Sequence, residues 1–213
     1  MKDFSDRDLK LMSRELRSVA ASSGLALDSI SKAKYDIVSA GFANAADSAL
    51  ILNASTRLAV GGVTTAASAA DLLTTSLNAM GKDASDVNEV SDILFTTVRL
   101  GKTTMTELGA SLGQVLPFAK SMNLSLADVG ASMATLTASG VKTSEATTAL
   151  RAAITALSSP SEGAKVAMAQ AGIEVQKFDD GTVDLLSTIK QFVGIDPKVI
   201  GKFIPNVRAV LGI

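Results

Sequence analysis

The chain has 213 residues with 47% hydrophobic content and a mean hydropathy of +0.32, enough to fill one core or two small ones. Its 20 basic and 21 acidic residues leave a net charge of -1 and are mixed along the sequence without a basic block, which argues against a dedicated surface for specific nucleic-acid recognition. Cysteine and histidine are absent, excluding disulfides, thiolate nucleophiles, imidazole bases and the usual zinc, haem and iron–sulfur ligands, and aromatics make up 4%, with one Tyr and no Trp.

The first predicted helix covers Phe4 to Ala21, with Leu9, Met12, Leu16 and Val19 on one side and Gly24 closing it. This stretch is densely charged and has no apolar core of the kind a secretory signal needs, so the chain reads as made in the cytoplasm. Residues 1–24 thus form a charged amphipathic helix, ahead of a helical body over residues 25–213. Asp28 is placed to cap the second helix, whose stripe is Ile30, Ala33, Ile37 and Val38 before Gly41. A third runs from about Ala45 to Val60 and stops at Gly61 and Gly62. Thr64 starts a fourth, with Ala66, Ala69, Ala70, Leu73, Leu77 and Met80 along one face and Gly81 at its end. Ser85 or Asp86 then caps a helix carrying Val87, Val90, Leu94 and Val98, with Gly101 after its last turn.

Between Thr103 and Asn123 the pattern is interrupted by Gly109, Gly113 and Pro117, which predicts two short helices with a kink near the proline. Ser125 and Asp128 form a capping-box-like start. Leu126, Val129, Met133 and Leu136 follow at heptad spacing, with Ala127, Ala131, Ala134 and Ala138 opposite. Such a stripe is a core face by default and an oligomer seam as the alternative. Thr143 or Ser144 caps the next helix, in which Ala146, Ala149, Leu150, Ala153, Ile154 and Leu157 share a face. Ser159, Pro160 and Glu162 read as N-cap, first-turn proline and third-position acid of a helix that ends at Gly172, its inner face Ala164, Val166, Ala167 and Ala171. After it, alternation and the Asp179, Asp180, Gly181 turn predict a small β-hairpin near 173–183. Helix returns from Asp184 to Phe192, and Asp196 with Pro197 restarts it into an apolar segment of Val199, Ile200, Phe203, Ile204, Val207, Val210 and Leu211 that Pro205 interrupts. The expected fold is all-α: consecutive short helices in an elongated or layered bundle.

No catalytic constellation emerges. Ser144, Glu145 and Arg151 fall where a helix wants a cap, a first-turn acid and a solvated base. Asp179 and Asp180 precede a turn glycine and serve the turn. Gly101, Lys102 and Thr103 come closest to a phosphate loop, but position 96 is Thr where the loop needs glycine. The sequence therefore predicts no enzyme, no cofactor and no metal. The longest uncharged stretches, 58–70 and 129–141, are about 13 residues, short of a membrane span.

From about Leu27 to Leu211 the order of elements resembles the core domain of the tail tape measure proteins of phages and prophages, the TP901-type family. The matching residues are Gly140, Val141, Lys142, Ser144, Glu145, Ala146, Leu150, Arg151, Leu157, Pro160, Gly172 and Ile173, preceded by Ser125, Leu126 and Asp128. Departures are Thr147, where the family often has glycine, and Ile200 with Gly201 in place of a Phe-Gly pair. The resemblance implies a structural protein that templates tail tube assembly, sets tail length and assists DNA delivery. Implied partners are the major tail tube protein, tail assembly chaperones, further copies of itself and the host envelope during ejection. It implies residence in the virion tail lumen and contact with the host membrane on ejection. A membrane-active helical pore or injection-channel component is the alternative of a different class. Even one unbroken helix of this length would reach only about 320 Å at 1.5 Å per residue. Short of a ruler's length and still apolar at Ile213, the sequence reads as a core module of a longer or truncated polypeptide.

Overall fold

The computed structural model describes residues 6–179 and, beyond them, 184, 187, 188, 191, 195 and 196. Among these the protein is all-α, and the residues fall into two compact units divided between Phe95 and Thr96. The predicted apolar segment from Val199 to Leu211 lies outside the described residues.

The first unit contains α1 (Asp6–Ser23), α2 (Leu27–Ser39), α3 (Ala45–Gly61), α4 (Ala66–Met80) and the beginning of α5 (Val87–Leu100). Helices α2, α3 and α4 pack mutually, and α1 lies on α2 and α3. Ile30, Ile37, Ile51, Leu52, Leu72, Leu73 and Leu77 are sealed from solvent, interleaved with Ala33, Ala54, Ala66, Ala69 and Ala70. Alanines at these positions let helix axes approach until the leucines and isoleucines interdigitate. Buried hydroxyls are neutralised inside their own helices: Ser55 donates to the Ile51 carbonyl at 2.7 Å, Thr74 to Ala70 at 2.9 Å and Ser76 to Leu72 at 2.8 Å. Among the described residues no buried side-chain polar atom lacks a partner.

Helix boundaries follow the glycine punctuation, but several caps shift. Asp28 sits inside the first turn of α2, whose N-cap Ala26 offers no side-chain bond. Asn44 caps α3 by accepting the Ala46 N–H at 2.8 Å, and Thr65, one residue after the expected Thr64, caps α4 through the Ser68 N–H at 3.0 Å. Before α5 a single 3-10 turn, Ala84–Asp86, is capped by Asp83, whose N–H donates to Asp86 at 3.0 Å. Asp83 therefore takes the role expected of Ser85 or Asp86. At the same corner the Lys82 ammonium donates to Glu89 at 2.9 Å with Asp86 at 3.9 Å. The Glu89 hydrogen bond chiefly raises the lysine's pKa above its ordinary value, helped by the charges of both carboxylates and opposed by partial burial.

The second unit holds the last turn of α5, then α6 (Met105–Ser111), a 3-10 turn Leu112–Gln114, α7 (Leu116–Ser121), α8 (Leu126–Ala138), α9 (Thr143–Ser158) and α10 (Glu162–Gln170). Pro117 opens α7 instead of kinking it, because a proline in the first turn gives up an N–H that has no intrahelical acceptor. Helix α9 is the hub, packing against α6, α7 and α8. In 173–179 no strand forms and Lys177 is an isolated bridge residue; Asp180 to Val183, the rest of the expected hairpin, lie outside the described residues. Gln176 instead donates its N–H to the Thr188 hydroxyl at 3.0 Å and accepts from the Asp184 N–H at 2.9 Å.

Val63 stands out. It has a left-handed φ of 51° and is 92% exposed, placed there because the Thr64 N–H reaches back to Ala59 O at 3.0 Å to close α3. A β-branched residue in that region carries strain of about 1–2 kcal/mol, and an exposed side chain returns almost no burial energy. Val63→Gly is expected to raise unfolding stability by about 1 kcal/mol, read as a higher urea midpoint at unchanged m-value; a lower midpoint would contradict the strained conformation.

Candidate functional site

The stretch from 140 to 172 is built as a helical hairpin from its turns inward. Gly140 has a φ of 94°, which only glycine adopts freely, and the reversal lets its N–H reach Thr137 O at 3.0 Å and the Val141 N–H reach Leu136 O at 3.2 Å. Lys142 is the N-cap of α9 and makes no side-chain cap bond. Thr143, expected as a cap, instead lies within the helix and turns its hydroxyl to Thr103, 2.7 Å away, and to Glu107 at 3.4 Å. Ser144 is exposed and does not cap. Glu107 is itself the third-position acid of a capping box, accepting the Thr104 N–H at 2.9 Å while its own N–H donates to the Thr104 hydroxyl at 3.2 Å. One carboxylate thus fixes the start of α6 and gathers the threonine that begins α9.

Along α9, Ala146, Ala149, Leu150, Ala153, Ile154 and Leu157 are buried as their spacing requires. Arg151 is more than a solvated base, because its guanidinium lies over the Phe118 ring at 5.9 Å from the centroid. The second helix of the hairpin starts later than expected: Ser161 accepts the Ala164 N–H at 3.2 Å, so Pro160 precedes the cap. Its inner face is Ala164, Ala167 and Met168, while Val166, assigned inward by spacing, is 56% exposed. Gly172, with a φ of 71°, reverses the chain so that the Ile173 N–H reaches Met168 O at 2.9 Å and the Ile173 side chain is buried. The Gly-Ile step is a stop followed by an anchor.

Leu126, Val129, Met133 and Leu136 are all buried within the unit, with Thr147 donating to the Met133 sulfur at 3.7 Å. The stripe is occupied as core in the single chain. On the opposite side Ala127, Ala131 and Ala138 are exposed, whereas Ala134 is covered. The cover comes from Gly101: a Cβ there would lie 2.5 Å from Thr137 Oγ1 and 3.0 Å from Ala134 Cα. The Lys102 N–H donates to the same Thr137 hydroxyl at 3.2 Å. Gly101 read in sequence as a helix stop; its role as a contact surface needs the partner helix and left no local signal.

Beside the hairpin start lies an open cleft of about 480 Å³ with Lys102, Glu107, Gln114, Lys142 and Thr143 among its lining. Its only carboxylate already accepts several hydrogen bonds, so the cleft presents no free acid and base pair. Asp179 is an exposed turn residue, and Asp180 lies outside the described residues. Among the described residues no group of three or more His, Cys, Asp or Glu could hold a metal ion.

A profile of the phage-related minor tail protein family matches residues 13–198. The chain is similar to a probable tape measure protein of Clostridium phage phiCD119, 30% identical over 128 residues, which make up 59% of this chain and 14% of that protein. It is also similar to the tape measure protein of Pneumococcus phage Dp-1, 28% identical over 133 residues, 62% of this chain and 12% of that protein. The chain thus spans a small part of the length of these curated relatives. No solved structure matches it.

Two substitutions separate packing from surface chemistry. Gly101→Ala is expected to cost about 1–3 kcal/mol in urea unfolding by overpacking the contact with α8. Arg151→Ala is expected to cost only about 0.5–1 kcal/mol, the range for an exposed cation over an aromatic ring, and Phe118→Leu should abolish that difference in a double-mutant cycle. A neutral Gly101→Ala would refute the close approach.

Proposed function

Since the chain belongs to the phage-related minor tail protein family, we propose that it is the core module of a tail tape measure protein, acting in tail assembly by helix packing without bond chemistry. The match over residues 13–198 carries this reading: it runs through most of both compact units and the whole 140–172 hairpin. The polar residues of that hairpin support it, because Thr143 and Arg151 are engaged in cross-helix contacts and Ser161 in a cap. The names of the two phage relatives point to the same role.

In this proposal the module presents a folded helical surface to the major tail tube protein and to tail assembly chaperones, and the far longer remainder of the parent protein supplies the measured length. It resides in the tail lumen and leaves ahead of the DNA, touching the host envelope on ejection. Self-association in several copies uses faces other than Leu126, Val129, Met133 and Leu136, which are committed to the core. Among the described residues no helix is long and apolar enough to cross a membrane, so no observation favours the pore alternative.

The test is made in a phage carrying the full-length protein. Deleting residues 126–172 in frame is expected to abolish tails of normal length in electron micrographs, and Leu150→Asp, which breaks the hub without shortening the chain, is expected to do the same. Normal tails in both would overturn the assembly role. Release of dye from lipid vesicles by the purified chain, with no capture of tube or chaperone proteins, would replace it with the pore reading.

A further inference from the structure

We propose that α1 is a strap, hinged at Gly24, that opens from the α2 and α3 face while the rest of the first unit stays folded. Three observations carry this. In α1 no residue from Lys10 to Ser23 is fully buried, with Met12, Leu16 and Val19 covered for the most part but not sealed, whereas α2, α3 and α4 each seal at least two large side chains completely. Among the described residues its polar tie to the unit is one ion pair: Glu15 receives the Lys34 ammonium at 3.2 Å, and the same nitrogen donates to Ser48 at 3.0 Å. Helices α2 and α4 are by contrast tied at both ends, the Ser29 hydroxyl accepting the Ala66 N–H at 3.1 Å and Asn78 donating to Ala40 O at 2.9 Å.

The hinge is in place. Gly24 has a φ of 71°, and open space surrounds the position of an added Cβ. Ala26, at the start of α2, makes no side-chain cap bond, and the corner is spanned by one long bond from the Leu25 N–H to the Ser23 hydroxyl at 3.3 Å. Elements with few buried apolar contacts open locally long before the whole unit does. Opening uncovers Lys34 and Ser48, now 4% and 1% exposed. It also removes one wall, Ser22 and Ser23, of a cleft of about 680 Å³ that contains Leu50, Arg57 and Val60. The strap is a property of the first unit and stands apart from the tail-assembly reading.

A chain with no native cysteine gives a clean test. Single variants Ser48→Cys and Ser76→Cys are made in the 213-residue protein and reacted with a thiol-specific disulfide reagent under native conditions. Ser76 is a sealed position on α4 and reports opening of the unit as a whole. The expected result is at least about tenfold faster reaction at 48 than at 76, with Glu15→Gln accelerating position 48 further and leaving 76 unchanged. Equal rates at the two positions, equal acceleration by Glu15→Gln, or no acceleration at all would overturn the strap. Hydrogen exchange of the unsubstituted chain supplies an independent reading: α1 amides exchange ahead of those in α2, α3 and α4, and simultaneous exchange of all four helices would likewise overturn it.

Discussion

With one tyrosine and no tryptophan, the helices of this chain can exclude water only by lying close together. The constraint decides what may stand at each interface. Alanine at Ala33, Ala54, Ala69 and Ala70 keeps axes near, and glycine at Gly101 removes the last atom that would hold α5 off α8. Serine and threonine are admitted to the same interior because each can return its proton to a carbonyl one turn back, as Ser55, Ser76 and Thr137 do. An interior of this kind gains less per residue from transfer out of water than one filled with large side chains. Its uniqueness depends more on fit, which is why a single added methyl group matters at Gly101.

The same constraint explains what the sequence makes legible. Periodicity finds the helices, because the core faces here are stripes of leucine, isoleucine, valine, methionine or alanine at spacings of three and four, and glycine in the left-handed region ends helices at Gly24, Gly41, Gly81, Gly140 and Gly172. Caps are less legible. Clusters such as Thr143 with Ser144, or Ser159 with Ser161, offer several hydroxyls within a few residues, and the choice among them is made by tertiary partners. Thr143 forgoes a cap because Thr103 and Glu107 lie beside it, a fact that exists only after α6 and α9 have packed. Pro117 shows the same limit, since its meaning changes with whether a helix is already running when the chain reaches it.

Of the candidate site, the buried half was readable and the polar half was not. Leu150, Leu157 and Ala146 sit where spacing puts them, whereas Arg151 looked like a surface charge until Phe118, 33 positions earlier, came to lie beneath it. Lys34 went unread for a related reason: a lone lysine on a helix reads as solvated, and its burial depends on Glu15 and Ser48 arriving from two other helices. Long-range polar pairs carry no periodicity, so composition and spacing pass over them. Turns and stops are local, which is why the glycines of residues 140–172 are easier to read in the sequence than its polar pairs.

In this architecture each unit is closed by contacts near in sequence. In the first unit the principal contacts join helices adjacent or one apart in sequence, and in the second the hub α9 gathers the three helices that precede it. Loops closed by such contacts are short, so the entropic cost of assembling each unit is low and does not depend on chain hundreds of residues away. The polar ties obey the same economy, with Ser29 to Ala66, Asn78 to Ala40 and Thr103 to Thr143 each staying within one unit. The described contacts that close each unit are thus made among its own helices. Packing that is local and shape-dependent fixes each interior and leaves the residues on the outer faces unconstrained by it.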